Sequence, residues 1–314
     1  MTSGRAATLG FIVRRLASAL PTLFVIVTGA FFLMRLAPGG PFDQEQALPP
    51  EVEANLRAAY GLDQPVHVQY LRYLQGLAVG DLGPSFKFKD FGVTELILQG
   101  LPISATLGLA AMALALLVGV PLGMIAALRQ NRPADHLVMS LAVIGIVIPN
   151  FVVAPLLALV FGIYLGWLPV AGWGGGRIEH LVLPVVTLAL PFIAYVARLT
   201  RGSFLEVLRA PYIRTARAKG LSWNAILRRH AFKAAILPVV SFLGPALAGV
   251  MTGSLVVELA FSLPGIGRYF VQGAINRDYT LVMGVVVFYA ALIVVFNLLV
   301  DLLYGWLDPR VRYD

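Results

Sequence analysis

Six long apolar stretches without a single Asp, Glu, Lys or Arg constrain this sequence more than any other feature. A helix that crosses a membrane needs about 20 mostly apolar residues, because each residue adds about 1.5 Å along the axis and the hydrocarbon core is about 30 Å thick. The stretches are residues 16–34, 103–128, 137–165, 181–197, 234–257 and 281–300. They predict an all-α, polytopic membrane protein with six transmembrane helices.

Several of these stretches contain proline, which would interrupt a helix in a water-soluble protein. In a membrane bundle, neighbouring helices can satisfy the carbonyl groups that proline leaves without a donor. We therefore expect kinked but continuous helices at Pro121, Pro149, Pro155, Pro184, Pro191 and Pro245.

Composition agrees with a membrane protein and excludes several other classes. Hydrophobic residues make up 59% of the chain and charged residues only 13%, so a water-soluble fold would expose much apolar surface. The chain has no cysteine, and its four histidines lie far apart in sequence, which argues against disulfides and a local metal-binding motif. We expect no metal site.

The distribution of charge predicts the orientation in the membrane. With the N-terminus in the cytoplasm, 16 of the 24 basic residues flank the cytoplasmic ends of the stretches, and eight of the 16 acidic residues fall in segment 36–101 outside. Both termini are therefore predicted to be cytoplasmic. The net charge of +8 would then face anionic lipid or an acidic partner, and no nucleic acid is needed to explain it.

The first apolar stretch has a second interpretation as a cleaved signal peptide, since Arg14 and Arg15 precede it. The stretch is longer than a usual signal core, and no small-x-small cleavage site follows it. We favour an uncleaved first transmembrane helix.

Segment 36–101 is the only sizeable external region in this topology. It predicts two short amphipathic helices, one at 51–60 that ends at Gly61 and one at 66–77 that ends before Gly80. This segment is too small for a full domain and forms a cap. The cap either covers the outer mouth of the protein or contacts an external substrate-delivery protein, and the sequence leaves both roles open.

The longest cytoplasmic loop, 198–233, predicts a short helix between two breaks. Pro211 interrupts the preceding helix, the new helix at 212–219 ends at Gly220, and Ser222 can cap the next one. The loop either fixes the topology or docks into a partner, with three exposed basic side chains: Arg214, Arg217 and Lys219.

The residues of this loop carry a resemblance to a known family. Residues 214–221 read Arg-Thr-Ala-Arg-Ala-Lys-Gly-Leu and precede Ile236-Leu237-Pro238. This resembles the cytoplasmic signature of binding-protein-dependent ABC importer permeases, Glu-Ala-Ala, three residues, Gly, then Ile-x-Leu-Pro. The chain departs from it, because Arg214 replaces Glu, Thr215 replaces the first Ala and the spacing to Pro238 is longer. This variant is similar to the dipeptide, oligopeptide and nickel branch.

Other segments resemble the same branch along nearly the whole chain. They are residues 14–15 with 34–39, 166–169, 263–267 and 307–313, while 48–52 and 80–87 look like the first membrane subunit of oligopeptide permeases. The resemblance implies a type I ABC importer permease fold. Its expected parts are the N-terminus with the first helix (1–35), the external cap (36–101), a five-helix core (102–303) with coupling loop 198–233, and a cytoplasmic tail (304–314).

The resemblance also implies an assembly in the bacterial inner membrane. A second homologous permease, two cytoplasmic ATP-binding subunits that hold ATP and Mg²⁺, an external binding protein and a short peptide substrate are the expected partners. The chain itself has no Gly-x-x-x-x-Gly-Lys-Ser/Thr loop, so we expect neither a cofactor nor an ATPase site of its own. The residues expected to couple to the ATPase are Arg214, Thr215, Ala216, Arg217, Lys219, Gly220 and Leu221.

Other functions fit less well. Dipeptides or nickel are alternative substrates within the branch. An ion-coupled secondary transporter would need titratable groups inside the membrane, whereas Glu258 and Asp301 fall just beyond the fifth and sixth stretches, at expected interfacial positions. Ser254 has no histidine in a later stretch to act as its base, which argues against an intramembrane enzyme. Sparse polar residues either line a substrate path or bond helix to helix: Asn150, Thr187, Tyr195, Ser241, Thr252 and Tyr289.

Overall fold

The computed structural model describes residues 2–36, 49–88 and 90–307. Within these ranges every regular element is helical. The helices are α1 (Thr2–Leu36), α2 (Pro50–Ala59), α3 (Val66–Ala78), α4 (Val93–Leu128), α5 (Pro133–Val147), α6 (Asn150–Leu157), α7 (Ile178–Leu208), α8 (Pro211–Ala218), α9 (Trp223–Ala225), α10 (Phe232–Ala260), α11 (Ile266–Ile275) and α12 (Tyr279–Leu307). π-helical turns extend α6 through Ala158–Tyr164 and join α9 to α10 through Ile226–Ala231.

Among the described residues, five helical segments are long and apolar enough to cross a membrane, and one bent pair of helices passes the same test when its two parts are taken together. The five are Gly10–Leu36, Val93–Leu128, Ile178–Leu208, Trp223–Ala260 and Tyr279–Leu303. They confirm the predicted all-α membrane architecture, and Pro184 and Pro191 remain inside α7 as expected.

The third predicted span differs from the expected continuous helix. Pro133–Val147 and Asn150–Tyr164 meet at an angle of 102°. Ile148, which precedes Pro149, has extended backbone angles (φ −77°, ψ 118°) because the proline ring disfavours a helical conformation before it. The prediction of a mere kink at Pro149 was therefore wrong, although the same kind of residue is tolerated within α7.

The described chain divides into two compact units. The core unit is mainly Ala105–Leu263, with the beginning of α1 and the end of α12, and the cap unit comprises Ala17–Ser104 and Pro264–Ala291. The expected four-part division of the chain stays a prediction. The predicted tail motif from residue 308 onward and the segment at 37–48 lie outside the described residues.

The cap unit contains both predicted amphipathic helices, α2 and α3, and Gly61 after α2 has the left-handed φ of 64° that a helix stop requires. Asp278, fully buried before α12, holds the segment after Gly83 in place. One of its carboxylate oxygens accepts hydrogen bonds from the Ser85 hydroxyl (2.5 Å) and from the Phe86 and Lys87 amides (3.0 and 3.2 Å). The other accepts from the Leu281 amide at 3.1 Å, so one side chain joins a loop to the start of a helix.

The core unit packs α4 against α7 at two glycines. A Cβ at Gly119 would lie 2.9 Å from the Ile193 carbonyl oxygen, and one at Gly123 would collide with the Ala197 carbonyl. Small residues allow this close approach of two helix backbones, as in many membrane proteins.

The two acidic residues expected at interfacial positions have different surroundings. Glu258 lies inside the last turns of α10, is fully buried and accepts a 2.8 Å hydrogen bond from Ser254. Asp301 is partly exposed on α12 and pairs with Arg15 of α1 at 2.7 Å.

Candidate functional site

The candidate site is the short helix α8 and the chain on both sides of it. α7 ends at Leu208, and α8 begins with Pro211, whose missing amide hydrogen is not needed at the first helical position. Ala210 between them is extended (φ −64°, ψ 147°), as expected for a residue before proline. The predicted break at Pro211 is confirmed.

The end of α8 is closed by a two-bond C-terminal cap. The Leu221 amide donates to the Ala216 carbonyl at 3.3 Å, and the Gly220 amide donates to the Arg217 carbonyl at 3.0 Å. This pairing requires a left-handed residue between helix and loop, and Gly220 has φ 75°. The helix therefore stops at Gly220, as the sequence predicts.

The next helix starts two residues later. The Ser222 hydroxyl oxygen accepts a hydrogen bond from the Ala225 amide at 3.4 Å, which confirms Ser222 as its N-cap. From Trp223 the chain stays helical to Ala260. Only Lys219 to Ser222 separate α8 from a helix that crosses the apolar region.

One face of α8 is embedded in the core unit. Ile213 and Ala216 are 3% and 6% exposed, and they belong to a single apolar cluster. Its other buried members come from the ends of α4 and α7 and from the chain leading into α10: Ala127, Phe204, Ile226, Ala231 and Ala235. A displacement of α8 therefore acts on three membrane helices at once.

Six of the seven predicted coupling residues are exposed: Arg214, Thr215 and Arg217 on α8, and Lys219, Gly220 and Leu221 directly after it. Ala216, the seventh, is buried and serves packing. The Arg217 guanidinium lies 4.7 Å from the centre of the Trp223 ring, and the Thr215 hydroxyl donates to the Pro211 carbonyl at 3.2 Å. The structure thus combines an apolar face turned inward with a basic face available to a partner.

An ion pair with a buried carboxylate was not predicted. Arg201 of α7 donates to both oxygens of Asp135 at the start of α5, with Nε–Oδ1 2.6 Å and Nη2–Oδ2 2.8 Å, and the Asn131 amide adds a third bond at 2.9 Å. The Asp135 side chain is 2% exposed. A signal was present in the sequence, because Asp135 is the only acidic residue between Glu95 and Glu179.

A second feature missed from the sequence is a groove of about 450 Å³ between α7 and α10. Its walls include Tyr195, Arg198 and Glu206 of α7 with Pro238 and Phe242 of α10. The Tyr195 and Phe242 ring centres are 6.0 Å apart.

The sparse polar residues proposed for a substrate path behave differently from one another. Tyr195 lines the groove. Thr187, Ser241 and Thr252 each donate to a carbonyl four residues earlier in their own helix, so each hydroxyl hydrogen is used within its helix in this structure.

Family models cover most of the chain. Residues 119–313 match the model described as binding-protein-dependent transport system inner membrane component, and residues 8–108 match that of the N-terminal part of such a membrane component. A crystal structure of an amino acid ABC transporter with histidines superposes with a TM-score of 0.50 at 20% identity, over 68% of this chain and 94% of that one, which shows a shared fold.

Curated relatives extend over nearly the full length. The oligopeptide transport system permease protein OppB of Escherichia coli K12 is 54% identical, and that of Haemophilus influenzae is 51% identical, each over 97% of this chain and 100% of the relative. The dipeptide transport system permease protein DppB of Bacillus subtilis is 44% identical over 96% of this chain and 97% of the relative. The helical spans, the signature loop and these matches agree, and the chain belongs to the family of binding-protein-dependent transport system inner membrane components.

Proposed function

We propose that this chain is one of two permease subunits of an ABC importer that carries oligopeptides across the bacterial inner membrane. The observation that carries the substrate class is the full-length identity of 51–54% to permeases named for oligopeptide transport, against 44% to a permease named for dipeptides. Dipeptides are the second candidate, and the relative from B. subtilis supports them.

The expected assembly contains a sister permease, two cytoplasmic ATP-binding subunits and an external binding protein. ATP and Mg²⁺ belong to the ATP-binding subunits in this proposal, since the chain has no phosphate-binding loop of the Gly-x-x-x-x-Gly-Lys-Ser/Thr type. Both termini and the loop at 198–233 face the cytoplasm, as the distribution of basic residues predicts.

The exposed basic face of α8 is the proposed contact with an ATP-binding subunit. Closure of the two ATP-binding subunits moves α8, and α8 is packed through Ile213 and Ala216 against the ends of α4, α7 and α10. A packed core transmits strain instead of absorbing it. The three helices therefore move together with α8 as rigid bodies. The membrane path then alternates between openings to the outside and to the cytoplasm.

The test is reconstitution of the complete complex in liposomes with a labelled tripeptide outside and ATP at the nucleotide-binding side. We expect uptake that needs this chain, the binding protein and ATP together. The purified chain alone should not hydrolyse ATP. Uptake that proceeds without this chain, or robust hydrolysis by a contaminant-free single chain, contradicts the proposal.

A further inference from the structure

The groove between α7 and α10 is built on one continuous stripe of α7. Tyr195, Arg198, Gly202 and Glu206 recur at intervals of three and four residues, so they share one helix face. All four are exposed in this chain. The volume of about 450 Å³ lies within the range of small-molecule binding sites, which is about 300–1,000 Å³.

The two ends of this stripe carry opposite charges. Arg198 and Glu206 are eight residues apart, which corresponds to about 12 Å along a helix. Among the residues that the structure describes, neither one forms an ion pair, whereas Arg201 of the same helix is fully engaged with Asp135. The Arg198 guanidinium instead lies 5.4 Å from the centre of the Tyr195 ring.

The backbone of α7 strengthens this polarity. The helix ends at Leu208, two residues beyond Glu206, so the negative end of the helix dipole adds to the carboxylate. The end of the groove at Glu206 therefore favours a cation, and the end at Arg198 favours an anion.

We infer that this groove holds a short peptide lengthwise, with its α-carboxylate on Arg198 and its α-ammonium on Glu206. The inference rests on the proposed function as a peptide importer. An extended peptide spans about 3.3–3.6 Å per residue, so the rise of about 12 Å between the two helix positions corresponds to about three or four residues. Reading both termini without reading side chains suits a path for peptides of varied sequence.

The middle of the groove is open. Gly202 lies between the two charged residues, and a Cβ added there meets no atom within 4 Å. Peptide side chains have room at this point. Because Glu206 lies on the side of Arg198 that leads into the cytoplasmic loop, a peptide in the groove leaves with its amino end first.

The test uses the complete complex in nanodiscs, without the binding protein, so that only the permease selects. A tripeptide with a central benzoylphenylalanine is photo-crosslinked in three forms: free termini, N-acetylated and C-amidated. We expect labelling of α7 between residues 195 and 206, reduced about tenfold by either modification, because a charge-assisted hydrogen bond is lost.

Variants assign each terminus to a residue. Arg198→Gln should remove the difference between the free and amidated peptides, and Arg198→Lys should keep it. Glu206→Gln should remove the difference between the free and acetylated peptides. Matched controls on the same helix are Arg209→Gln, which loses a bond to Gln130, and Glu179→Gln, which loses a pair with Arg177; both should keep wild-type discrimination.

Gly202→Phe should fill the groove, and its Cβ meets no atom within 4 Å, so it should abolish labelling while the complex still assembles. Equal labelling by all three peptide forms, or unchanged discrimination in Arg198→Gln and Glu206→Gln, overturns the inference. If the peptide does not label the groove and Gly202→Cys crosslinks to a sister permease, the inference is also overturned, because the groove is then a subunit contact.

Uptake by the wild-type complex with its binding protein distinguishes a failure of this inference from a failure of the proposed function. Uptake without labelling of the groove refutes this inference alone, and the absence of peptide uptake refutes both.

Discussion

Two short helices, α2 in the cap unit and α8 in the core unit, end in the same way but are held differently. Each is followed by a glycine with left-handed backbone angles, Gly61 at φ 64° and Gly220 at φ 75°. The described residues of α2 and α3 include no fully buried side chain, whereas α8 buries Ile213 and Ala216 in a cluster shared with three membrane helices.

This difference teaches that the stop signal of a helix says little about its mechanical role. The end of α2 rests on a partly exposed contact, the Tyr60 ring against Phe86 at 5.0 Å, which can adjust to a partner. The core helix is fixed by close packing, which transmits displacement.

The first prediction is an all-or-none difference in accessibility. Ala59 and Ala218 are exposed ends of α2 and α8, and the chain has no native cysteine to give background labelling. In intact cells an impermeant maleimide should label Ala59→Cys and leave Ala218→Cys unlabelled, and permeabilised cells should label both. If only Ala218→Cys is labelled in intact cells, the topology is the reverse of the predicted one.

The second prediction concerns the pair of Asp135 and Arg201. Asp135→Asn leaves the Arg201 charge without its partner in a partly buried position, so stability should fall by about 2 kcal/mol. The matched control is Asp301→Asn, whose partner Arg15 is 51% exposed, and its loss should be below about 1 kcal/mol. Thermal unfolding of both variants in detergent, at equal lipid content, measures the difference. Equal losses would mean that burial does not distinguish the two pairs.

The third prediction compares the two glycines directly. A β-branched side chain with left-handed backbone angles costs about 1–2 kcal/mol, so either substitution strains its turn. In Gly220→Val the strain tilts α8, and uptake should fall about tenfold at normal membrane abundance. In Gly61→Val the added atom displaces only the mobile end of Arg72, 2.9 Å away, and uptake should change less than about twofold.

The readouts for both glycine variants are membrane abundance, co-purified ATP-binding subunit and peptide uptake. Normal values of all three for Gly220→Val would mean that the loop at 198–233 only fixes the topology. An equally large uptake defect in Gly61→Val would give the cap a direct part in transport, such as contact with the binding protein.

The sequence anticipated local features better than tertiary ones. Pro211, Gly220 and Ser222 act on their own backbone, so their residue types alone located the breaks around α8. The break at Pro149 was underestimated because Pro191 has the same chemistry and remains inside α7, and only the surrounding helices decide between the two outcomes. The Arg201–Asp135 pair and the groove join residues far apart in the chain, and their spacing in sequence carries no such information.

The last prediction has the smallest effect and concerns Tyr73 of α3. Its hydroxyl is buried and has no hydrogen-bond partner among the described residues, while the Tyr70 hydroxyl lies 2.7 Å from that of Thr28. Tyr73→Phe removes a polar group that gained nothing from burial, so stability at pH 7 should stay within about 0.5 kcal/mol of wild type or rise. The control Tyr70→Phe loses a bond and should cost about 1 kcal/mol.

Burial raises the pKa of Tyr73 to about 12, and the positive charge of Arg35 opposes that rise. The folded state therefore holds this proton more tightly than the unfolded state, whose tyrosine pKa is about 10. The contribution of the Tyr73 proton to the free energy of unfolding of the wild type is fully present below pH 10. It is lost as the pH rises from 10 to 12, because the unfolded chain releases this proton at a lower pH than the folded chain does. We expect the unfolding temperature of Tyr73→Phe, relative to that of the wild type, to be higher at pH 10.5 than at pH 7. A constant difference across that range would mean that the Tyr73 hydroxyl is solvated, and that the cap is looser around α3 than its packing indicates.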